Sequence, residues 1–296
     1  MKNISYEDFK LYLALYPFLK FQDIHLILKN SFNKPYINLS SSELIKLGFR
    51  QEIISDFILW QIKFNFTYLK NKLELEKIKL LCCSDEIHIN IFKEIYCPPP
   101  FLFYQGNLNI LNQKNVLFLA VVGSRKNSKH GEKVVEKIIK DLSDNIEIVT
   151  ISGLARGIDT HVHLESLKTQ VPTIAVLGSG LFTDKIYPKE NIFLAKSIVD
   201  NGGLLLSEFP PYAPPRKEHF PRRNRIISAL SRAVLVIEAG KKSGALITAR
   251  HALEQNKDVF AIPGNIFLDE YIGNNRLIQD GAYPILDYED IIKYFN

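Results

Sequence analysis

The chain has 296 residues, 46% of them apolar, so it can bury a sizeable core and exceeds one average domain. Its formal charge of +5 is concentrated early: residues 1–80 hold 12 Lys/Arg against 8 Asp/Glu, and the remainder holds 25 against 24. That balance excludes a diffuse polycation, and Cys82, Cys83 and Cys97 are too few and wrongly spaced for a zinc site or a disulfide framework.

The start Met-Lys-Asn-Ile-Ser-Tyr-Glu lacks the apolar stretch of a signal peptide, and no apolar run reaches about 18 residues. A cytoplasmic protein with no membrane partner is expected. Residues 1 to about 78 show helical spacing of apolar side chains (Phe9, Leu11, Leu13, Leu15; Ile24, Leu26, Ile27, Leu28; Leu44, Leu47), broken near Ser31-Phe32-Asn33-Lys34-Pro35. One of Ser40, Ser41 and Ser42 is placed to cap the helix carrying Glu43, and Gly48 to end it. Lys70, Lys72, Lys77 and Lys79 read as a solvated helix face.

From Lys79 the pattern changes. Pro98-Pro99-Pro100 forms a rigid turn into a strand, and a regular alternation follows. Strands are expected near 116–122, 147–151, 173–178, 204–208, 233–238 and 258–262, with helices near 129–142, 157–169, 190–200, 223–231, 244–256 and 272–280. Continuous apolar runs such as Val116 to Val122 suit strands covered on both faces. The expected fold is α/β: a doubly wound, mainly parallel Rossmann-like sheet over 79–296, preceded by a small all-helical domain over 1–78. Ligands of such sheets bind beyond the carboxyl ends of the strands.

The motifs lie at those ends. Gly123-Ser124-Arg125 combines a sharp turn, a helix start that Ser128 caps and a forked donor, which together suit a phosphate; an ordinary tight turn with a surface Arg is the plainer alternative. Ser152-Gly153-Leu154-Ala155-Arg156-Gly157-Ile158-Asp159 and Gly178-Ser179-Gly180 end the next two strands. None of these is a dinucleotide fingerprint, and Lys241-Lys242-Ser243-Gly244 lacks the Walker A order and reads as a helix start with Ser243 as cap. No cofactor is expected. His161 and His163 point to different faces of one helix, which argues against a shared metal. Asp159 and Glu165 read as capping or solvated carboxylates, so no catalytic residue is assigned to them.

The densest charge is Arg216-Lys217-Glu218-His219-Phe220-Pro221-Arg222-Arg223-Asn224-Arg225, placed between two apolar strands. Packing gives no reason to crowd like charges there, so an anion is implied. Phe220 among cations is either a stacking face for a base or a core plug. Glu208 and Glu238 end successive strands and are the best carboxylates for catalysis; the simpler reading pairs them with nearby Arg residues such as Arg225 as structural support.

These motifs, together with Tyr187-Pro188 and Asn191, Leu206-Ser207-Glu208 with Pro210-Pro211, Phe220 to Ser228, Leu246-Ile247-Thr248-Ala249 and Pro263-Gly264 with Asn275, Leu277-Ile278 and Gly281-Ala282, resemble the DprA (Smf) DNA-processing family over about residues 96–286. The leader resembles the small helical domain, SAM or helix-hairpin-helix-like, that many members carry. The chain departs from the family pattern at Ala229 and Ala245 and in a longer Leu181–Tyr187 connection that leaves Asp184 without an assigned role, and no C-terminal winged helix is expected. The resemblance implies a non-enzymatic, homodimeric single-stranded DNA binder that protects incoming DNA in natural transformation and helps load the RecA recombinase. It carries DNA contact to Gly123, Ser124, Arg125, Arg156, Lys217, Phe220, Arg222 and Arg223, with Arg225, Glu208 and Glu238 in support. Two rivals stand beside it: a Rossmann-like hydrolase of the glycosidic bond of nucleoside monophosphates, whose Pro-Gly-Gly-x-Gly-Thr-x-x-Glu order is missing here, and a scaffold for an acidic protein.

Overall fold

The computed structural model describes residues 2–31, 36–93 and 95–295. The break expected at Ser31-Phe32-Asn33-Lys34-Pro35 falls at 32–35, outside the described residues. The chain opens with helices α1 (Tyr6–Ala14), α2 (Phe21–Asn30), α3 (Ser41–Leu47), α4 (Gln51–Lys63) and α5 (Phe66–Leu75), joined by a minimal antiparallel pair, β1 (Lys2–Asn3) and β2 (Tyr36–Ile37). The caps follow the local chemistry. The Ser40 N–H donates to the Glu43 carboxylate at 2.8 Å, and Gly48 closes α3 with a φ of 93° that a side chain would resist. Among Lys70, Lys72, Lys77 and Lys79, the expected solvated helix face is corrected. Lys70 pairs with Asp8 at 2.7 Å and Lys72 with Asp184 at 3.3 Å, while Lys77 and Lys79 lie beyond the helix.

The remainder is a nine-stranded sheet. Its strands are β3 (Lys79–Cys82), β4 (Phe101–Gly106), β5 (Leu117–Val122), β6 (Ile148–Ser152), β7 (Thr173–Val176), β8 (Leu204–Ser207), β9 (Ala233–Val236), β10 (Asp258–Ala261) and β11 (Tyr283–Pro284). Helices α6 (Glu86–Phe92), α7 (Lys129–Asn145), α8 (Ile158–Lys168), α9 (Ile192–Asp200), α10 (His219–Leu230), α11 (Ala245–Glu254), α12 (Ile272–Gln279) and α13 (Tyr288–Ile292) accompany them. The strand order is β11-β10-β9-β5-β6-β7-β8-β4-β3. Strands β5 to β8 march one way and β9 to β11 the other, so the chain reverses direction between β5 and β9. Only β4 and β3, on the β8 side, run antiparallel to their neighbours.

Strand side chains alternate between two dry faces. Leu119 and Val121 pack with Val135 and Ile138 of α7 and Val162 of α8, whereas Ala120 and Val122 pack with Ile226 and Ile227 of α10 and Ala249 of α11. Each large apolar side chain buried this way stabilises the fold by about 1.5–3 kcal/mol. The helical leader is not insulated from the sheet. Phe57 and Leu73 share one cluster with Phe103, Leu177 and Phe182, and the Tyr212 hydroxyl donates to the Leu15 carbonyl at 2.6 Å.

Candidate functional site

Where β5 and β9 diverge, the carboxyl ends of the strands open into a cleft of about 790 Å³. Arg125 and Lys126 after β5, Lys241 and Lys242 after β9, and Lys217 before α10 line it, and all five are exposed. The first turns of α10 and α11 also line the cleft, adding the positive ends of two helix dipoles. Asp159 is the one carboxylate among the lining residues, and Arg223 faces it.

The loop after β5 is built to hold its shape. The Ser124 hydroxyl accepts from the Lys126 N–H at 3.1 Å and donates to the Lys126 carbonyl at 2.9 Å. The Ile158 N–H donates to the Ser124 carbonyl at 3.1 Å, and at Gly157, with φ 77°, a Cβ would fall 2.3 Å from that same oxygen. The two loops are thereby locked together. Ser128 caps α7 as expected, its hydroxyl accepting from Gly131 N–H at 3.0 Å. The cap expected at Ser243 is corrected: Gly244 is the N-cap of α11, and Ser243, one residue ahead of it, accepts from the Ala245 N–H at 3.3 Å.

The two strand-end glutamates differ. The Glu208 carboxylate accepts from Arg225 at 2.8 Å and from Arg222 at 3.1 Å, the pairing expected of it. Among the described residues, Glu238 has no arginine partner, which corrects that reading. It is fully buried and accepts from the Ser128 N–H at 2.9 Å, from the Ser128 hydroxyl and from the Tyr271 hydroxyl at 3.0 Å. Its carboxylate therefore fixes the end of β9 to the start of α7.

Helix α10 begins at His219, ahead of the expected 223, because Pro221 fits the first turn, where its missing N–H costs nothing. The cationic decapeptide is thus half turn, half helix. His219 stacks on Phe209 with centroids 3.8 Å apart, and its Nδ1 lies 3.2 Å from the Gly178 carbonyl. Phe220 is half-buried and lines the cleft. Its ring leans on Gly178, where a Cβ would come within 2.8 Å of it. The Arg125 guanidinium sits 4.9 Å from the Phe220 centroid, and the Tyr187 ring is 5.7 Å away.

Arg223 is 3% exposed. Its Nη1 donates to the Gly153 carbonyl at 2.6 Å and to the Val176 carbonyl, and its Nε to Asn224 at 3.1 Å; Asn224 in turn donates to the Gly244 carbonyl at 3.2 Å. One helix turn thus ties together the ends of β6 and β7 and the loop after β9. Burial pushes the guanidinium down to about 10, against the pull of Asp159, and it stays charged at neutral pH. Burial raises the Asp159 carboxyl, against the pull of Arg223. The expectation of solvated carboxylates is corrected, since both Asp159 and Glu165 are buried.

Arg222 and Arg156 lie outside the cleft lining, both exposed, the first on Glu208 and the second on Glu190. His163 is fully buried on α8, with Nδ1 2.8 Å from the Thr173 hydroxyl, and burial depresses its pKa to about 3. Sequence reasoning missed Lys126, Lys241, Lys242 and Tyr187. The signal lay in strand order: once β9 neighbours β5, the residues following β9 face the Gly-Ser-Arg loop.

A doubly wound sheet with a cationic cleft at its reversal point places the chain in the Rossmann-like class. The chain belongs to the DNA recombination-mediator protein A family, whose sequence model matches residues 79–296. It is 45% identical over 222 residues to DNA processing protein DprA of Streptococcus pneumoniae, covering 75% of this chain and 76% of that one. It is 40% identical to Protein Smf of Escherichia coli, covering 83% of this chain and 61% of that one. The crystal structure of the Streptococcus pneumoniae DprA superposes with a TM-score of 0.80 at 37% identity, covering 99% of this chain and 98% of its own. A second structure concerns the single-stranded DNA binding mode of Helicobacter pylori DNA processing protein A; its TM-score is 0.65 at 28% identity, covering 74% and 95%. Among the described residues, no helix is long and apolar enough to cross a membrane.

Proposed function

We propose that this protein binds single-stranded DNA in the cleft at the β5–β9 divergence. The observation that carries this reading is the placement of five exposed cations around the half-buried ring of Phe220. Cations hold backbone phosphates and an aromatic face stacks a base, a combination that suits a single strand and is tolerant of sequence. The Helicobacter pylori relative, described by its single-stranded DNA binding, supports the same reading. Gly123, Ser124, Arg125, Lys217 and Phe220 form the contact surface, and Lys126, Lys241 and Lys242 extend it. Arg223 positions the surrounding loops, while Arg156 and Arg222 extend the cationic rim.

The finer role follows the family. The protein works in the cytoplasm as a homodimer without catalysis, protects incoming DNA during transformation and helps load RecA, and divides into a helical domain over 1–78 and a DNA-binding domain over 79–296. The glycosidic hydrolase reading finds no free strand-end carboxylate, since Glu208 and Glu238 are each held by several donors.

Gel-shift titration of single- and double-stranded oligonucleotides tests the central claim. Preference for the single strand, with log affinity falling against log salt by about 0.7 per neutralised phosphate, is the expected result. Equal binding of both forms, or a slope near zero, overturns it.

A further inference from the structure

The cleft continues past Phe220 along aromatic and guanidinium contacts that the cationic decapeptide does not reach. Tyr187 lies 5.7 Å from Phe220, with the ring planes inclined at 56°, and the Arg156 guanidinium lies 5.9 Å from the Tyr187 centroid. With Arg125 4.9 Å from the Phe220 centroid, the contacts link cation, ring, ring and cation in turn. Tyr187 is half-buried and lines the cleft, and Arg156 is exposed just outside it. The inclined rings cannot stack on each other, so each is left to receive a planar partner of its own.

Arg156 is not idle. Its Nε donates to the Glu190 carboxylate, with both side chains about half exposed at 56% and 52%. Glu190 stands in the 3₁₀ turn Lys189–Asn191, which follows Tyr187-Pro188 directly. Asn191 anchors that turn, donating to the Leu154 carbonyl at 2.9 Å and to the Thr160 hydroxyl at 2.8 Å. Tyr187 and Glu190 are therefore carried on one fixed segment, held to the loop that carries Arg156.

We propose that Tyr187 is a second base platform, that Arg156 is the seat of the adjoining phosphate, and that Glu190 occupies that seat when no strand is bound. The proposal rests on the single-stranded DNA reading and lengthens its track by one nucleotide. A carboxylate and a phosphate oxygen satisfy a guanidinium in the same way, so binding exchanges one partner for the other. An ion pair this exposed is weak, so a strand can displace it, yet the exchange still lowers affinity measurably.

The test titrates the full chain with a fluorescent oligothymidylate of about 16 nucleotides, the upper span of such sites, over a salt series. Glu190→Gln is expected to tighten binding by roughly 1.5- to 5-fold, because the seat no longer has to be vacated. Tyr187→Leu is expected to weaken binding by roughly 5-fold or more without changing the salt slope, while Tyr187→Phe retains most of the affinity because a ring remains. Arg156→Gln is expected to reduce the slope by about 0.7 and to abolish the gain from Glu190→Gln. Unchanged or weaker binding by Glu190→Gln, or equal losses in Tyr187→Phe and Tyr187→Leu, overturns the proposal. If Phe220→Ala and Arg125→Ala weaken binding while these variants do not, the track alone fails. If the parent protein shows no preference for a single strand, the underlying reading fails with it.

Discussion

The Arg223 guanidinium lies so close over the backbone of Gly153 that a Cβ there would stand 2.4 Å from Nη2. A glycine in the loop after β6 and an arginine on α10 are thus two halves of one contact, and the geometry around the cleft depends on it.

Arg223→Met removes the donor shared by the buried Gly153 and Val176 carbonyls, and stability is expected to fall by about 1–3 kcal/mol for each acceptor left unsatisfied. Burial holds the folded-state Asp159 pKa above its unfolded value, and losing Arg223 raises it further. A carboxyl raised in this way stabilises the fold below its unfolded pKa and loses that contribution as pH rises. The variant should therefore lose stability from about pH 4 upward more steeply than the parent. Urea midpoints across that range measure this. Gly153→Ala, tested alongside, is expected to cost about 1–3 kcal/mol through overpacking.

Acid should act through His163. Its folded pKa of about 3 lies below the ordinary histidine value, so its contribution is complete above about pH 6.5 and is lost as pH falls toward 3. The expected local slope is about 1.4 kcal/mol per pH unit in that window. His163→Leu should flatten this part of the profile in calorimetry at successive pH values, and an unchanged slope would assign the acid sensitivity elsewhere.

Phe220→Ala is expected to weaken single-strand affinity by about 1–3 kcal/mol with the salt slope unchanged, because stacking releases no counterions. The complementary signature belongs to the cations. Arg125→Ala and Lys217→Ala should each lower the slope by about 0.7, and the Lys241→Ala, Lys242→Ala double variant should lower it by about 1.4, reporting on the wall that sequence reasoning overlooked. Affinity at several salt concentrations separates the two classes of contact.

Arg222→Ala offers a sharper comparison. Its side chain bonds to Glu208, which Arg225 also holds, so the carboxylate stays paired when Arg222 is removed. The expected effect is a smaller slope change than for Arg125→Ala, read in the same salt series, together with a melting temperature close to that of the parent.

The layers and the strands β4 to β10 were legible because strand periodicity and apolar runs are local properties, whereas the short edge strands β3 and β11 carry no such run and were not expected. The loop containing Arg125 was legible for the same reason, since it follows such a run directly. Strand order was not, because pairing is decided by contacts distant in sequence. The Lys241-Lys242 wall, visible only once β9 lies beside β5, was lost with it. Burial of charge was hidden too: Arg222 and Arg223 are adjacent in sequence, yet helix geometry exposes the first and sinks the second among carbonyl groups.

The helical leader braces the approach to Tyr187. Leu15 receives the Tyr212 hydroxyl, Lys72 grips Asp184, and Phe57 shares a cluster with Phe182, so the segment leading to Tyr187 is clamped between the leader and the sheet. Substitutions on the leader's inner surface are therefore expected to loosen that segment while leaving every cation at the rim in place, since none of those residues lines the cleft.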